Sequence, residues 1–172
     1  MHPAALRLSF ARLALLALAA GPAAAAEDRF TFYGLTPSAA GQTVKEVERA
    51  LGAPLLAKAG EERRACHLRS SRGQPGVNFV IDRGVLARTD TRDRRWATVR
   101  GLHVGDTEAQ ARQLYGARLV SSPHPYFERG HRLAVYSADR KFALVMESDD
   151  SGRIVTLRGG RVPAVEALEG CS

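Results

Sequence analysis

The chain has 172 residues, with 25 Lys and Arg against 18 Asp and Glu, for a formal net charge of +7. That length makes one domain able to bury a real core. The charge is basic but mixed in sign: even the densest stretch, Thr91 to Trp96, interleaves Asp93 with Arg92, Arg94 and Arg95, so it reads as a solvated strand edge whose charges deter pairing and not as the basic stripe with stacking rings that nucleic acid requires.

The first element is a leader. Arg7 and Arg12 form a positive region, Leu13 to Ala20 an apolar run, Gly21 and Pro22 break it, and Ala24-Ala25-Ala26 offers small residues to a signal peptidase. The run is too short and wrongly flanked for a membrane span. Residues 1–26 are therefore expected to be removed, leaving 172 − 26 = 146 residues, soluble and exported to the periplasm or beyond. No cysteine stands near the cleavage point to carry a lipid anchor. Weak attraction to anionic lipid or polysaccharide is compatible with the net charge of +5 that remains once Arg7 and Arg12 are gone (25 − 2 − 18).

Gly41 to Gly52, GQTVKEVERALG, predicts a helix with both ends marked. Thr43 and Glu46 make the capping box in which each side chain satisfies an orphaned backbone N–H. Val44, Val47, Ala50 and Leu51 share a face, and Gly52 supplies the left-handed stop. Strands follow at Arg63–Arg69, Gly76–Asp82, Gly84–Asp90 and Arg95–Gly101, with a hairpin turn at Asp82-Arg83-Gly84. Sixty-four positions after the first phrase (105 − 41) comes GDTEAQARQLYG, with Thr107 and Gln110 as the box, Ala111, Leu114 and Tyr115 as the face and Gly116 as the stop. Strands follow again at Ala117–Ser122, His131–Ser137, Lys141–Glu147 and Gly152–Arg158, and Ser148–Gly152 stands where the first turn stood. Helix, stop and hairpin recur in the same order. The expected fold is α+β: two tandem repeats of a helix and an antiparallel meander, residues 27–100 and 101–172, forming one compact domain with the helices on one face of the sheet.

Cys66 and Cys171 are an even pair in a chain bound for an oxidising compartment, so they are expected to form a disulfide tying the first half to the C-terminus. Closing a loop of roughly 100 residues stabilises by about 4–5 kcal/mol in the chain-entropy picture. A Cys66–His67 catalytic dyad is poorly placed, because neighbours on a strand point to opposite faces.

The phrase G-x-T-x-x-x-V-x-x-x-L-G-x-P, carried by Gly41, Thr43, Val47, Leu51, Gly52 and Pro54, resembles the helix signature of BamE/SmpA-OmlA-type outer-membrane assembly proteins. Tandem copies of that unit resemble the β-lactamase inhibitory protein fold. The second half, from Gly101 through Pro123–Tyr126 to Gly170-Cys171, is similar to small exported bacterial proteins without an established function. The resemblance implies an envelope role but no catalytic residues. Two features depart from it. The mature N-terminus would be Glu27 in place of a lipid-bearing cysteine, and only ten aromatics follow the leader where the inhibitor has an aromatic-rich concave sheet.

No nucleophile elbow, H-E-x-x-H, P-loop or C-x-x-C is present. His67, His103, His124 and His131 form no close pair at helix or strand spacing, so they read as exposed strand and loop residues, with no metal site and no cofactor expected. Asp149-Asp150-Ser151-Gly152 lacks the spacing of a calcium loop and reads as a turn. Asp82 and Glu147 would be a glycosidase-like pair, but they fall at equivalent places in the two expected repeats, which already accounts for both. The most individual stretch is Ser121–Arg132, where Pro123 and Pro125 hold the chain extended beside His124, Tyr126 and Phe127. An exposed ring on a stiff loop is a contact device. Trp96, among arginines, is the other candidate ring, for a partner or for a cation–π stack.

These features favour a non-catalytic exported module that binds an envelope or extracellular protein through Trp96, His124, Tyr126 and Phe127. An inhibitor of an envelope or secreted enzyme is the nearest alternative. A periplasmic hydrolase using His103 or His124 with a carboxylate is the alternative from another class. A deep pocket with His and a carboxylate in hydrogen-bond reach would favour the enzyme, and a shallow concave sheet would favour binding.

Overall fold

The computed structural model describes residues 28–171, so the expected leader and its cleavage point lie outside the described residues. The fold is α+β. A hairpin of β1 (Phe30–Thr31) and β2 (Gly34–Leu35) precedes helix α1 (Val44–Leu51). Strands β3 (Leu56–Ala57), β4 (Cys66–Ser70), β5 (Val77–Asp82) and β6 (Val85–Thr91) follow. Then come helix α2 (Glu108–Tyr115) and strands β7 (Val120–Pro123), β8 (His131–Tyr136), β9 (Phe142–Ser148) and β10 (Ile154–Arg161). The last eight strands form one antiparallel sheet in the order β3-β4-β5-β6-β10-β9-β8-β7. No helix among the described residues is long and apolar enough to cross a membrane.

Both helices begin as the sequence predicts. Thr43 and Glu46 close one capping box, and Thr107 and Gln110 close the other. At only eight residues each, the helices depend on packing, which the main core supplies. Val47 of α1 and Ala111 and Tyr115 of α2 are buried in the same cluster as Phe79, Ile81, Leu133 and Met146 from the sheet. The C-terminal ends differ. Gly52 adopts the left-handed conformation (φ 64°, ψ 20°) and stops α1. Gly116 has φ 56° but ψ −138°, so the chain rolls on through a short 3₁₀ turn, Gly116–Arg118, before β7.

Two expectations need correction. Arg95–Gly101 is not a strand. Its backbone is taken by isolated bridges, Phe30 to Thr98 and Ala97 to His103, and Gly101 N–H donates back to Thr98 O at 2.8 Å, turning the chain. Nor is Thr91–Trp96 a strand edge. β6 lies at the centre of the sheet, and residues 92–96 form the loop that leaves it. The hairpin turn is as expected: Arg83 (φ 48°) and Gly84 (φ 81°) link Asp82 to its partner Val85 in two residues.

The two central strands each carry a bulge. Val80 pairs with Arg88 but Ile81 with Leu86, leaving Ala87 extra; Glu147 pairs with Thr156 but Ser148 with Ile154, leaving Val155 extra. A bulge resets which face a residue meets. Leu86 and Ile154 therefore join the helix-side core, while Arg88, Asp90, Thr156 and Arg158 turn to the opposite face. Gly159 and Gly160 sit between these layers. A Cβ on Gly159 would collide with Thr31 O, and one on Gly160 with the Arg88 side chain.

The C-terminal segment crosses that opposite face. Val165 packs on Ala134, Ala143 and Val145, and the Cys66–Cys171 disulfide, 105 residues apart in sequence, fastens the end to β4.

Candidate functional site

Arginines from three strands hold the crossing segment. Arg88 Nη1 donates to the carbonyls of Ala164 and Ala167, Arg158 donates to those of Ala167 (3.3 Å) and Leu168 (3.2 Å), and Arg132 donates to Glu166 O at 2.6 Å. Tyr136 OH adds a 2.6 Å bond to the Glu166 carboxylate, and that bond, together with burial, pushes the phenol's pKa up. The charges beneath are paired. Arg158 grips Glu147 through two 2.9 Å bonds with both side chains sealed. Arg88 meets Asp90 through Nη2 at 3.2 Å and through Nε at 2.9 Å, the latter an ion contact whose angle is too poor for a hydrogen bond. Burial pushes the Asp90 carboxyl up against the opposing pull of Arg88 and Arg158, and burial pulls the Arg158 guanidinium down against Glu147.

Beside this tray the face is open. A groove of about 620 Å³ runs between β4 and the chain end, past Asn78, Asp90, Thr156 and Arg158. It meets a smaller hollow of about 210 Å³ bounded by His124, Tyr126, Phe127 and Glu147. Arg92 and Leu168 line both. Among the described residues Arg92 makes no hydrogen bond or ion pair. Thr156 Oγ1 and Arg158 Nε, also shared by the two hollows, are buried without a hydrogen-bond partner in the protein. Of these groups Arg92 is the exposed one, a cation at a concavity with no partner among the described residues.

The loop that walls the smaller hollow is built on a buried histidine. His124 Nδ1 accepts the backbone N–H of Tyr126 (3.1 Å) and of Phe127 (3.2 Å), so its ring proton is on Nε2. Its ring lies 4.7 Å from that of Phe127. Arg129 N–H donates to Asp150 at 2.9 Å, which ties the loop to the next turn. Tyr126 stands outside all this, 72% exposed. Tyr126, Phe127 and His124 are thus brought together. Trp96 is elsewhere: its ring packs on the main core and its indole N–H donates to Pro75 O at 2.9 Å, with no arginine among the described residues stacked on it.

The histidines correct the expectation of exposure. His67 and His124 are buried, His67 bonded through both ring nitrogens and His124 through Nδ1. His67 Nδ1 meets Arg64 O at 3.0 Å while Arg69 Nε donates to its Nε2 at 3.1 Å. His124 Nε2 lies 3.7 Å from Glu147, beyond a direct hydrogen bond. His103 Nδ1 meets only a backbone carbonyl, Arg94 O at 3.2 Å. One constellation was missed: Glu108 accepts from both Ser148 Oγ and His131 Nδ1 (2.8 Å). Here the carboxylate stands between serine and histidine, so the imidazole does not adjoin the hydroxyl as it does in a Ser-His-Asp triad. Burial pushes the Glu108 carboxyl up, but the Ser148 and His131 bonds and the His131 charge together bring it below its ordinary value. Asp82 and Glu147 lie on strands with two others between them, roughly 14 Å apart by strand spacing alone, too far for a glycosidase pair. Among the described residues no group of three or more His, Cys, Asp and Glu could hold a metal ion.

The arginine tray was also missed. Its only trace in the sequence is an arginine near the same place in three strands, Arg88, Arg132 and Arg158, which without the bulges reads as solvent-facing alternation. No family model, curated protein or solved structure matches the chain.

Proposed function

We propose that the chain is an exported, non-catalytic module that binds an envelope or extracellular protein with the open face beside its C-terminal segment. The observation that carries this reading is Tyr126: a ring 72% exposed at the mouth of a groove, on a loop whose backbone is pinned by His124. A ring carried on a backbone already held in place spares the chain the cost of ordering that loop on binding, and Tyr and Arg are the residues that concentrate interface energy. Arg92, without an internal partner, supplies the arginine. For His124 the same bonds argue against the hydrolase alternative, since its Nδ1 lone pair is occupied by two backbone amides.

Export accords with the leader-like residues 1–26 and with a disulfide, which persists in oxidising compartments. We read the scaffold as two tandem helix-and-meander units, as the BamE-like signature and the β-lactamase inhibitory protein resemblance imply. The matching caps and a strand order mirrored about β6 and β10 support that reading. The test is a photo-crosslinking residue placed at position 126 in the full chain, with one at exposed Leu56 on the far edge strand as the control. A single adduct specific to position 126, lost in Arg92→Ala, is expected. Equal crosslinking at both positions, or a hydrolytic turnover abolished by a folded His103→Ala or His124→Ala variant, would overturn the proposal.

A further inference from the structure

The helix side holds a different kind of hollow. A cavity of about 290 Å³ lies between the β1–β2 hairpin, the turn after Ala97 and the end of α2. Val135 and Leu144 form its floor, and Phe32, Tyr33, Val99 and Tyr115 its walls. The hairpin wall is held by edge-to-face stacking of Tyr33 on Phe32 (4.5 Å) and on Phe142 of β9 (4.8 Å). Val99 is 59% exposed at the rim, apolar surface that a folded chain gains nothing by showing to water.

Charge marks the entrance. Arg100 and Arg118 are the charged residues lining the cavity, and both are cationic. Arg100 is fixed, with its guanidinium 5.7 Å over the Tyr115 ring and Nη1 donating to Leu114 O at 2.8 Å. Arg118, in the 3₁₀ turn after α2, makes no hydrogen bond or ion pair among the described residues. An apolar hollow with an unneutralised cationic lip is complementary to a chain that is apolar along its length and anionic at one end.

We propose that this cavity is a binding site for a free medium-chain fatty acid, its tail between Phe32, Val99 and Leu144 and its carboxylate on Arg118 and Arg100. Size sets the chain length. An apolar cavity of about 150 Å³ accommodates benzene, so on that scale this one holds roughly ten carbons. The site is separate from the groove beside Tyr126 and does not depend on the function proposed for it.

Calorimetric titration of the full chain with decanoate, with decanol and with decyltrimethylammonium tests the assignment. Decanoate is expected to bind one to one, with decanol and the cationic analogue at least tenfold weaker. Arg118→Glu should weaken decanoate at least tenfold without lowering the melting temperature, since that side chain has no partner to lose. Val99→Trp, which crowds the rim from an exposed position, should block all three ligands while the protein stays folded. Absence of saturable decanoate binding, equal affinity for the three ligands, or indifference to both substitutions would overturn the proposal. So would binding only to anionic phospholipid vesicles and not to the free acid.

Discussion

The N-terminal half, α1 with β3 to β6, and the C-terminal half, α2 with β7 to β10, are laid out in opposite order, so that β6 and β10 meet at the centre of the sheet. Up to that seam they match. Each begins with a threonine-capped helix, each ends in a bulged central strand, and each bulge sends one arginine to the face opposite the helices, Arg88 from β6 and Arg158 from β10. Beyond it they diverge. Only the C-terminal half carries a loop built on a buried histidine, and only it continues into a segment that crosses the shared face. Capped helices and bulged central strands occur in both halves, whereas the exposed ring and the crossing segment belong to the second.

The largest expected effect comes from cutting the link between the halves. Cys171→Ser should cost about 4–5 kcal/mol in denaturant unfolding, for a loop closed over 105 residues. Hydrogen exchange of the variant separates two ways of holding the segment. If the Val165 amide, bonded to Arg161 O at 2.8 Å, keeps its protection, the arginine tray suffices to hold the cover. If it exchanges freely, the disulfide is the main fastening.

The two buried arginines then test how alike the seam strands are. Arg158→Met leaves Glu147 sealed without its partner and should cost about 3–5 kcal/mol. Arg88→Met should cost less, about 1–3 kcal/mol, because Asp90 is already displaced by burial toward the protonated form and takes up a proton when Arg88 goes. Glu147→Leu combined with Arg158→Met removes both charges and should recover most of the loss. Chemical denaturation of the three variants reads these values, and equal costs for the two single changes would mean that the halves are energetically equivalent at the seam.

What the sequence discloses follows the same division. Thr43, Glu46, Thr107 and Gln110 announce both helices because capping is local chemistry, and Arg83-Gly84 announces its turn for the same reason. The Cys66–Cys171 bridge was legible because two cysteines allow one pairing. The strand expected at Arg95–Gly101 failed because that backbone is claimed by β1, a contact between segments far apart in the chain. Of the site, Tyr126 and its stiffened loop were legible, but the burial of His124 was not, since it depends on two backbone amides folding back over the ring. Most of the tray escaped notice because a bulge leaves no residue signature, and one extra residue in β6 and in β10 moves Arg88 and Arg158 to the other face. Trp96, expected as a contact ring or a cation–π partner, is half-buried, donating to Pro75 O and packing against the core, contacts that lie far apart in sequence and leave no local signal.

A smaller test returns to the caps. Thr43→Ala and Thr107→Ala each remove a hydroxyl that accepts the N–H three residues on, at 3.4 Å and 3.2 Å. Each should cost about 1 kcal/mol in denaturant unfolding. A much larger loss at Thr107 would show that α2, which has no left-handed glycine stop, depends more on its first turn than α1 does.

The smallest effect separates the halves by pH alone. The boxes are alike in geometry, with Thr43 N–H donating to Glu46 at 2.7 Å and Thr107 N–H donating to Gln110 at 2.8 Å, but only the first acceptor titrates. The backbone N–H and hydroxyl of Thr43 hold the Glu46 carboxyl below its ordinary 4.5. A carboxyl depressed in the folded state stabilises above its unfolded value, and that contribution disappears as pH falls through the folded one. Acidification from about pH 6 to about pH 3 should therefore loosen the start of α1 while leaving the Gln110 box intact. The Thr43 and Thr107 amide resonances read the two sites separately. Thr43 should shift with acid and Thr107 should not follow a box titration, although Glu108, itself depressed by Ser148 and His131, needs Glu108→Gln as a background. Glu46→Gln should abolish the Thr43 response, and Gln110→Glu should create one at Thr107. An acid shift at Thr43 that survives Glu46→Gln would place its origin in the packing of α1 and not in its cap.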